Sequence, residues 1–262
     1  MKKVFAIACL ACVSAFCHGQ VLESSAYMEE LFKLDVSTMS EFRSRFNAET
    51  EEYASDKERT LLSLFNRSSE VILNNEGLVK SFVHQVLSSN QKLAFTDSLW
   101  FAELECNVRY KNKAFPVRLF LRTEEIDPEL GICRWALCGV NGLKECGLIY
   151  AHELASIDAI DNDLNFLGLE SRLETDFKNA FGYRSVSNEI DQLSILLFMF
   201  QEGLWKVESL GKLKYHFLSV PGYVFVVEHS TKARNSGWLI SDIAEVTEDQ
   251  STAYEKNILG VH

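Results

Sequence analysis

Two stretches of this chain, Phe95 to Phe120 and Phe200 to Phe225, repeat one another at a constant offset of 105 residues. Phe95, Leu99, Trp100, Glu103, Tyr110, Pro116 and Phe120 fall without a gap on Phe200, Leu204, Trp205, Glu208, Tyr215, Pro221 and Phe225. Ordinary residue frequencies would supply about one or two such matches in a window of this length. The repeat therefore predicts a duplicated architecture, and any fold assigned to the chain must accommodate both copies.

Each copy has the same local pattern. Trp100, Ala102, Leu104, Cys106, Val108 and Tyr110 alternate with Phe101, Glu103, Glu105, Asn107, Arg109 and Lys111, the period of a strand with one buried face. In the second copy Trp205, Val207, Leu213, Tyr215 and Phe217 oppose Lys206, Glu208, Lys212, Lys214 and His216. A proline follows in each, Pro116 or Pro221, marking a turn or a strand start because it cannot donate to a sheet ladder. Second strands are expected at Val117–Arg122 and Tyr223–Glu228. Third, Trp-bearing strands are expected at Ile132–Val140 and Trp238–Val246. Three consecutive strands on short connections make an antiparallel meander.

Helices are expected ahead of each meander. Met39, Phe42 and Phe46 recur at helical spacing after Ser37-Thr38-Met39-Ser40-Glu41, a plausible cap. A second helix from about Asp56 to Leu73 carries Leu61, Leu62, Phe65 and Ile72, and a third, Leu78 to Ser89, stripes Phe82, Val83 and Val86. Before the second meander, Asp163–Asn179 and Asn188–Phe200 read as helices. The fold class is thus α+β, two similar modules at 20–148 and 149–250 with helices on an antiparallel sheet, and a C-terminal tail at 251–262. The boundary is expected within Leu143–Ser156.

Met1 to Gly19 has two lysines, an apolar run from Val4 to Cys17 and small residues at its end, the layout of a secretory signal peptide with Gln20 as the mature start. The rival reading is a lipoprotein anchored through Cys12 or Cys17. Cleavage removes Lys2 and Lys3 and leaves 24 basic against 37 acidic residues, a net charge of −13. So acidic a chain repels phosphate backbones, which argues against nucleic acid as a partner. Cys106, Cys133, Cys138 and Cys146 remain, all in the first copy. Cys138 and Cys146 flank a turn they can staple, Cys106 and Cys133 can cross-link two strands, and Cys106 is equally readable as a buried thiol.

Catalytic signatures are absent. The 13 glycines are scattered, with no G-x-G-x-x-G or P-loop, and neither G-x-S-x-G nor H-E-x-x-H occurs. No cofactor and no metal site are expected: the cysteine spacings lack C-x2-C, and Asp161-Asn162-Asp163 lacks the later ligands of a calcium loop. A cysteine nucleophile with His84 or His152 is the weakest enzymatic reading. An acid–base group among His216, Glu228 and His229 is the better one, though alternation puts His216 and Glu228 on an exposed face. Glu103 and Glu208 are expected to pair across strands with cations such as Arg109 and Lys214. Trp100 and Trp205 belong to the apolar stripe, and Tyr110, Tyr215 and His229 are the candidate ligand-binding residues.

Helices followed by a curved antiparallel sheet with aromatic and proline landmarks resemble the cystatin-like group that includes nuclear transport factor 2-like domains. Phe42-Arg43-Ser44-Arg45-Phe46-Asn47, His216-Phe217-Leu218-Ser219-Val220-Pro221-Gly222-Tyr223 and Ser236-Gly237-Trp238-Leu239-Ile240 also resemble segments of uncharacterised exported proteins of gut-dwelling Gram-negative bacteria. That resemblance implies a pocket between sheet and helices, as in small-molecule binders, isomerases and dehydratases, and assigns no catalytic residue. The expected function is an exported, non-enzymatic binding or interaction protein of the envelope, acting on an unknown small molecule or envelope protein. The alternative is a pocket enzyme of the isomerase or dehydratase type.

Overall fold

The computed structural model describes residues 37–127, 129, 132–146, 191–231 and 235–260. The leader, Asp161–Asp163, His152, the helix expected at Asp163–Asn179 and most of the expected module boundary lie outside the described residues. Five helices come first: α1 (Ser37–Asn47), α2 (Glu51–Ala54), α3 (Lys57–Ser63), α4 (Glu70–Asn74) and α5 (Glu76–Ser88). Then follow β1 (Trp100–Tyr110), β2 (Lys113–Asp127), β3 (Ile132–Asn141), α6 (Gln192–Gln201), β4 (Lys206–Phe217), β5 (Tyr223–Ser230), β6 (Gly237–Glu245) and α7 (Glu248–Asn257). The fold is α+β. None of the described helices is long and apolar enough to cross a membrane.

The six strands form one antiparallel sheet in the order β3-β2-β1-β4-β5-β6. Both expected meanders are present, and they are joined edge to edge because their first strands pair: Trp100 lies opposite Phe217, Ala102 opposite Tyr215 and Leu104 opposite Leu213. That register keeps the apolar alternates of both strands on one face. Beyond Leu104 it breaks twice, between Leu104 and Cys106 and between Asn107 and Val108.

Sequence chemistry explains the local turns. Lys111 and Asn112 both have positive φ, 46° and 64°, between the paired Tyr110 and Lys113. Positive φ at both central positions is what a two-residue type I′ hairpin demands, so β2 starts earlier than the proline suggested. Pro116 sits inside β2 opposite Asn107, two residues before β3 begins to pair at Arg118. Pro221, by contrast, precedes Gly222 (φ 84°) in a turn closed by the Tyr223 N–H donating to the Val220 carbonyl at 3.0 Å, the proline–glycine chemistry of a type II turn.

One face of the sheet carries the main core. Phe42 of α1 stacks on Phe217, Phe46 lies parallel to Phe225, and Phe82 of α5 meets Phe225 and Tyr223 edge-on, at centroid distances of 6.0, 6.2, 5.2 and 5.3 Å. Such tilted and offset rings gain quadrupolar contact on top of buried area. The helices cross over: α1, α4 and α5, which precede the first meander, pack on β6 of the second, while α6 reaches back to β3. The core is therefore continuous across both halves. The outer edge of β6 is sealed as well, since the Ile240 N–H donates to the Leu64 carbonyl at 2.7 Å and the Ile240 carbonyl accepts from the Asn66 N–H at 2.9 Å.

The repeat is kept in one place and abandoned in others. Phe95 packs on Trp100 at 6.0 Å and Phe200 on Trp205 at 6.1 Å, and both tryptophans are buried at the start of their meanders. Phe120 and Phe225, however, belong to clusters on opposite faces of the sheet. Glu103 is buried while Glu208 is exposed.

Candidate functional site

The face turned away from α1–α5 carries the polar chemistry. Strand alternation puts Phe101, Glu103, Glu105, Asn107 and Arg109 of β1 there. Glu103 lies opposite Phe120 of β2 and Lys214 of β4, and Phe101 opposite His216. Phe101, Phe120, Leu218 and Val224 form a second apolar cluster, closed by Leu259.

Its cover is the C-terminal segment. A helix, α7, runs from the end of the expected second module into the expected tail, started by a capping box in which the Thr247 side chain accepts from the Gln250 N–H while the Gln250 side chain accepts from the Thr247 N–H. Leaving β6 at one edge, the segment ends on β3 at the other. There Asn141 Nδ2 donates to the Ile258 carbonyl at 2.6 Å. A Cβ on Gly139 would lie 2.3 Å from the Leu259 carbonyl oxygen, so glycine is what permits the contact.

Where this strap meets the sheet there is a polar triad of two buried residues and one half-buried residue. His216 Nε2 is 2.8 Å from Glu103 Oε2, and His216 Nδ1 is 2.7 Å from the Tyr254 hydroxyl of α7. Glu103 and His216 are 3% and 4% exposed. Burial pushes the Glu103 carboxyl up, but the hydrogen bond and charge of His216, with Lys214 and Arg118, outweigh it and leave it below the ordinary value. An ionised carboxylate only accepts, so Nε2–H donates to it, and Nδ1 accepts the Tyr254 O–H whenever it carries no proton itself. Burial foremost, then the charges of Glu103 and Asp242, raise the Tyr254 hydroxyl, so it stays a donor.

Carboxylate, imidazole and hydroxyl in line are the order that activates a nucleophile. Here both ring nitrogens and the hydroxyl are spent on one another inside the sheet–strap interface, and the arrangement anchors α7. Sequence alternation assigned His216 to an exposed face and missed this cover. Two signals pointed to it: the Thr247-Glu248-Asp249-Gln250 capping sequence, and the run of apolar residues Phe101, Phe120, Leu218 and Val224 at polar-face positions. Glu103 was expected to face Arg109 or Lys214. Its close partner is His216, with Arg118 Nη1 at 3.9 Å, while Arg109 pairs with Glu208 and Lys214 lies 3.8 Å from Glu105 and 3.4 Å from Glu228.

Past the strap the same face opens into a cleft of about 450 Å³, bounded by Glu105, Asn107, Arg118, Asn141 and Glu145, with Gly211 and Gly142 at its walls. A second hollow of about 510 Å³ lies among α3, α4 and α5, lined by Leu62, Phe65, Ile72, Leu73 and Val79 together with the charged Arg67, Glu76 and Lys80.

The expected ligand residues do not converge. Tyr215 is wholly buried between Trp100 and Trp238, at 5.9 and 5.1 Å. Tyr110 is at the other end of β1, against Trp205 at 6.3 Å and under the Lys111 ammonium. His229 is exposed beside Trp238, 5.5 Å between rings. Neither proposed cysteine bridge is formed. Cys138 packs against the strap-side cluster and donates to the Phe120 carbonyl, whereas Cys146 is buried in the core on the opposite face. Cys106 is opposite Val117 and Cys133 opposite Glu125, eight residues apart along β2 (125 − 117), well beyond disulfide reach. Burial pushes the thiols of Cys106 and Cys138 up to about 12 and that of Cys146 up to about 11. They are protonated, poor nucleophiles at neutral pH, and His84 is exposed on α5. Among the described residues no group of three or more His, Cys, Asp or Glu is placed to hold a metal ion.

No family model, no curated protein and no solved structure matches this chain.

Proposed function

We propose that this chain is an exported, non-enzymatic binding or interaction protein of the bacterial envelope, built from two similar modules of the cystatin-like, nuclear transport factor 2-like kind that have exchanged helices. The single observation that carries the reading is how the helix-facing side of the sheet is filled. A pocket enzyme of the isomerase or dehydratase type would need a deep cavity there, lined by an acid or base. In its place Phe42, Phe46, Phe82, Phe217 and Phe225 interlock with almost no exposure. The most reactive set of side chains, Glu103, His216 and Tyr254, is committed to holding the strap.

The modular part rests on the matched Phe95–Trp100 and Phe200–Trp205 contacts, on two meanders that meet through equivalent strands, and on helices of each half lying over the other. Export rests on the leader-like first 19 residues, and exclusion of nucleic acid on the acidic balance.

A thermal-shift screen of the pure protein against envelope metabolites, run beside a hydrolase and isomerase panel, tests it. The expected result is stabilisation by a bound metabolite or partner with no turnover. Turnover that disappears in His229→Ala would overturn the reading.

A further inference from the structure

The cleft beside the strap has a charge pattern that selects a class of ligand, and we infer that it is the binding site for a small zwitterion carrying one ammonium and one carboxylate, such as an amino acid or dipeptide. This rests on the binding-protein reading above and names its site. The cleft is built by the fold: it sits where the β1–β4 register breaks twice. Glycine at 142, whose Cβ would come within 2.7 Å of the Pro116 carbonyl oxygen, and at 211, whose Cβ would press on Glu105, keeps its walls free of side chains.

The polar groups around it are unevenly committed. Arg109 is held by Glu208, and Lys214 is shared between Glu105 and Glu228. The Arg118 side chain makes no hydrogen bond among the described residues; its one close counter-charge there is the buried Glu103 carboxylate, and the side chain is about half exposed at the cleft. A guanidinium with unused parallel donors is a carboxylate receptor. The acceptors are in excess. Glu145 makes no ion pair among the described residues, and Asn107 and Asn141 each commit one of two Nδ2–H donors, to Ser209 Oγ at 2.9 Å and to the Ile258 carbonyl at 2.6 Å. Each amide keeps one N–H and can serve either sign, so the groups that suit an ammonium are the carboxylates of Glu105 and Glu145. A simple anion would meet Glu105 and Glu145, and a simple cation would meet Arg118; a zwitterion satisfies both signs.

Calorimetric titration of the full chain with alanine, alanyl-alanine, N-acetyl-alanyl-alanine and alanyl-alanine amide tests the inference. Saturable binding of alanine or alanyl-alanine is expected, with each capped dipeptide weaker by about tenfold or more, the loss of one charge-assisted contact. Arg118→Gln is expected to erase the preference for the free carboxylate, and Glu145→Gln the preference for the free ammonium. The exposed Glu145 makes no side-chain hydrogen bond or ion pair among the described residues, so its variant remains informative if Arg118→Gln unfolds. Equal affinity for free and capped dipeptides, or no saturable binding of either zwitterion, would sink the assignment. Should other metabolites then stabilise the native chain and Glu145→Gln alike, the binding-protein reading stands without this site; turnover lost in His229→Ala removes the reading itself.

Discussion

On its helix side the sheet buries a continuous layer of rings from α1, α5, β4 and β5, while on its strap side a few apolar residues surround the hydrogen-bonded Glu103–His216 pair, and the rest of that face stays charged and open. The first interface is broad, non-directional and tolerant of small shifts, because apolar burial scales with area. The second depends on a small number of directed contacts, each of which leaves a buried polar atom stranded when its partner goes. The two faces thus divide the work: the helix side stabilises the sheet, and the strap side holds α7 and Ile258–Gly260 in register over a surface that is otherwise charged and open.

Three changes break or sharpen this contrast. Phe225→Ala, which removes the ring shared by Phe46, Phe82 and Phe217, is expected to cost about 3–5 kcal/mol, seen in chemical denaturation as a lower midpoint. A loss under about 1 kcal/mol would show that the helix side is loosely packed.

Glu103→Gln keeps the shape and removes the charge, at an expected cost of about 2 kcal/mol near neutral pH. Because the folded carboxyl is held below its unfolded value near 4.5, its contribution is complete above that pH and is lost as pH falls through the lower folded value. Melting curves of native and variant protein should therefore converge as the pH drops below about 4.5. A gap that stays constant with pH would mean that Glu103 acts through packing and not through charge.

The smallest effect is expected from Tyr254→Phe, about 1 kcal/mol from one lost hydrogen bond. Its signature is local: faster amide exchange confined to α7 and the Ile258–Gly260 segment, with β1 and β4 unaffected. Exchange rising evenly through the sheet would erase the distinction between the faces.

Much of the fold was legible in residue order. Alternation along Trp100–Tyr110 and Lys206–Phe217 set which side of each strand meets the helices, and every residue it assigned to the apolar face of β1 packs there. The hairpin at Lys111-Asn112 was not legible, because neither residue is glycine and only the Tyr110–Lys113 pairing forces their positive φ. The site was less legible still. Tyr110, Tyr215 and His229 share chemistry and not a place, whereas Arg118 and Glu145 carry no sequence signal, since nothing local distinguishes an exposed arginine or glutamate that lines a cleft from one that does not.

What the chain determined by itself was the six strands, the apolar face of each first strand and the paired phenylalanine–tryptophan landmarks, all consequences of contacts within a few residues. Tertiary structure alone decided that two meanders fuse into one sheet, that helices cover the opposite half, and that Glu103 and His216, 113 residues apart, meet under Tyr254. The physical reason is that side-chain period specifies which way a residue points, whereas its neighbour there depends on strand pairing and chain crossing, which are settled by the free energy of the assembled core.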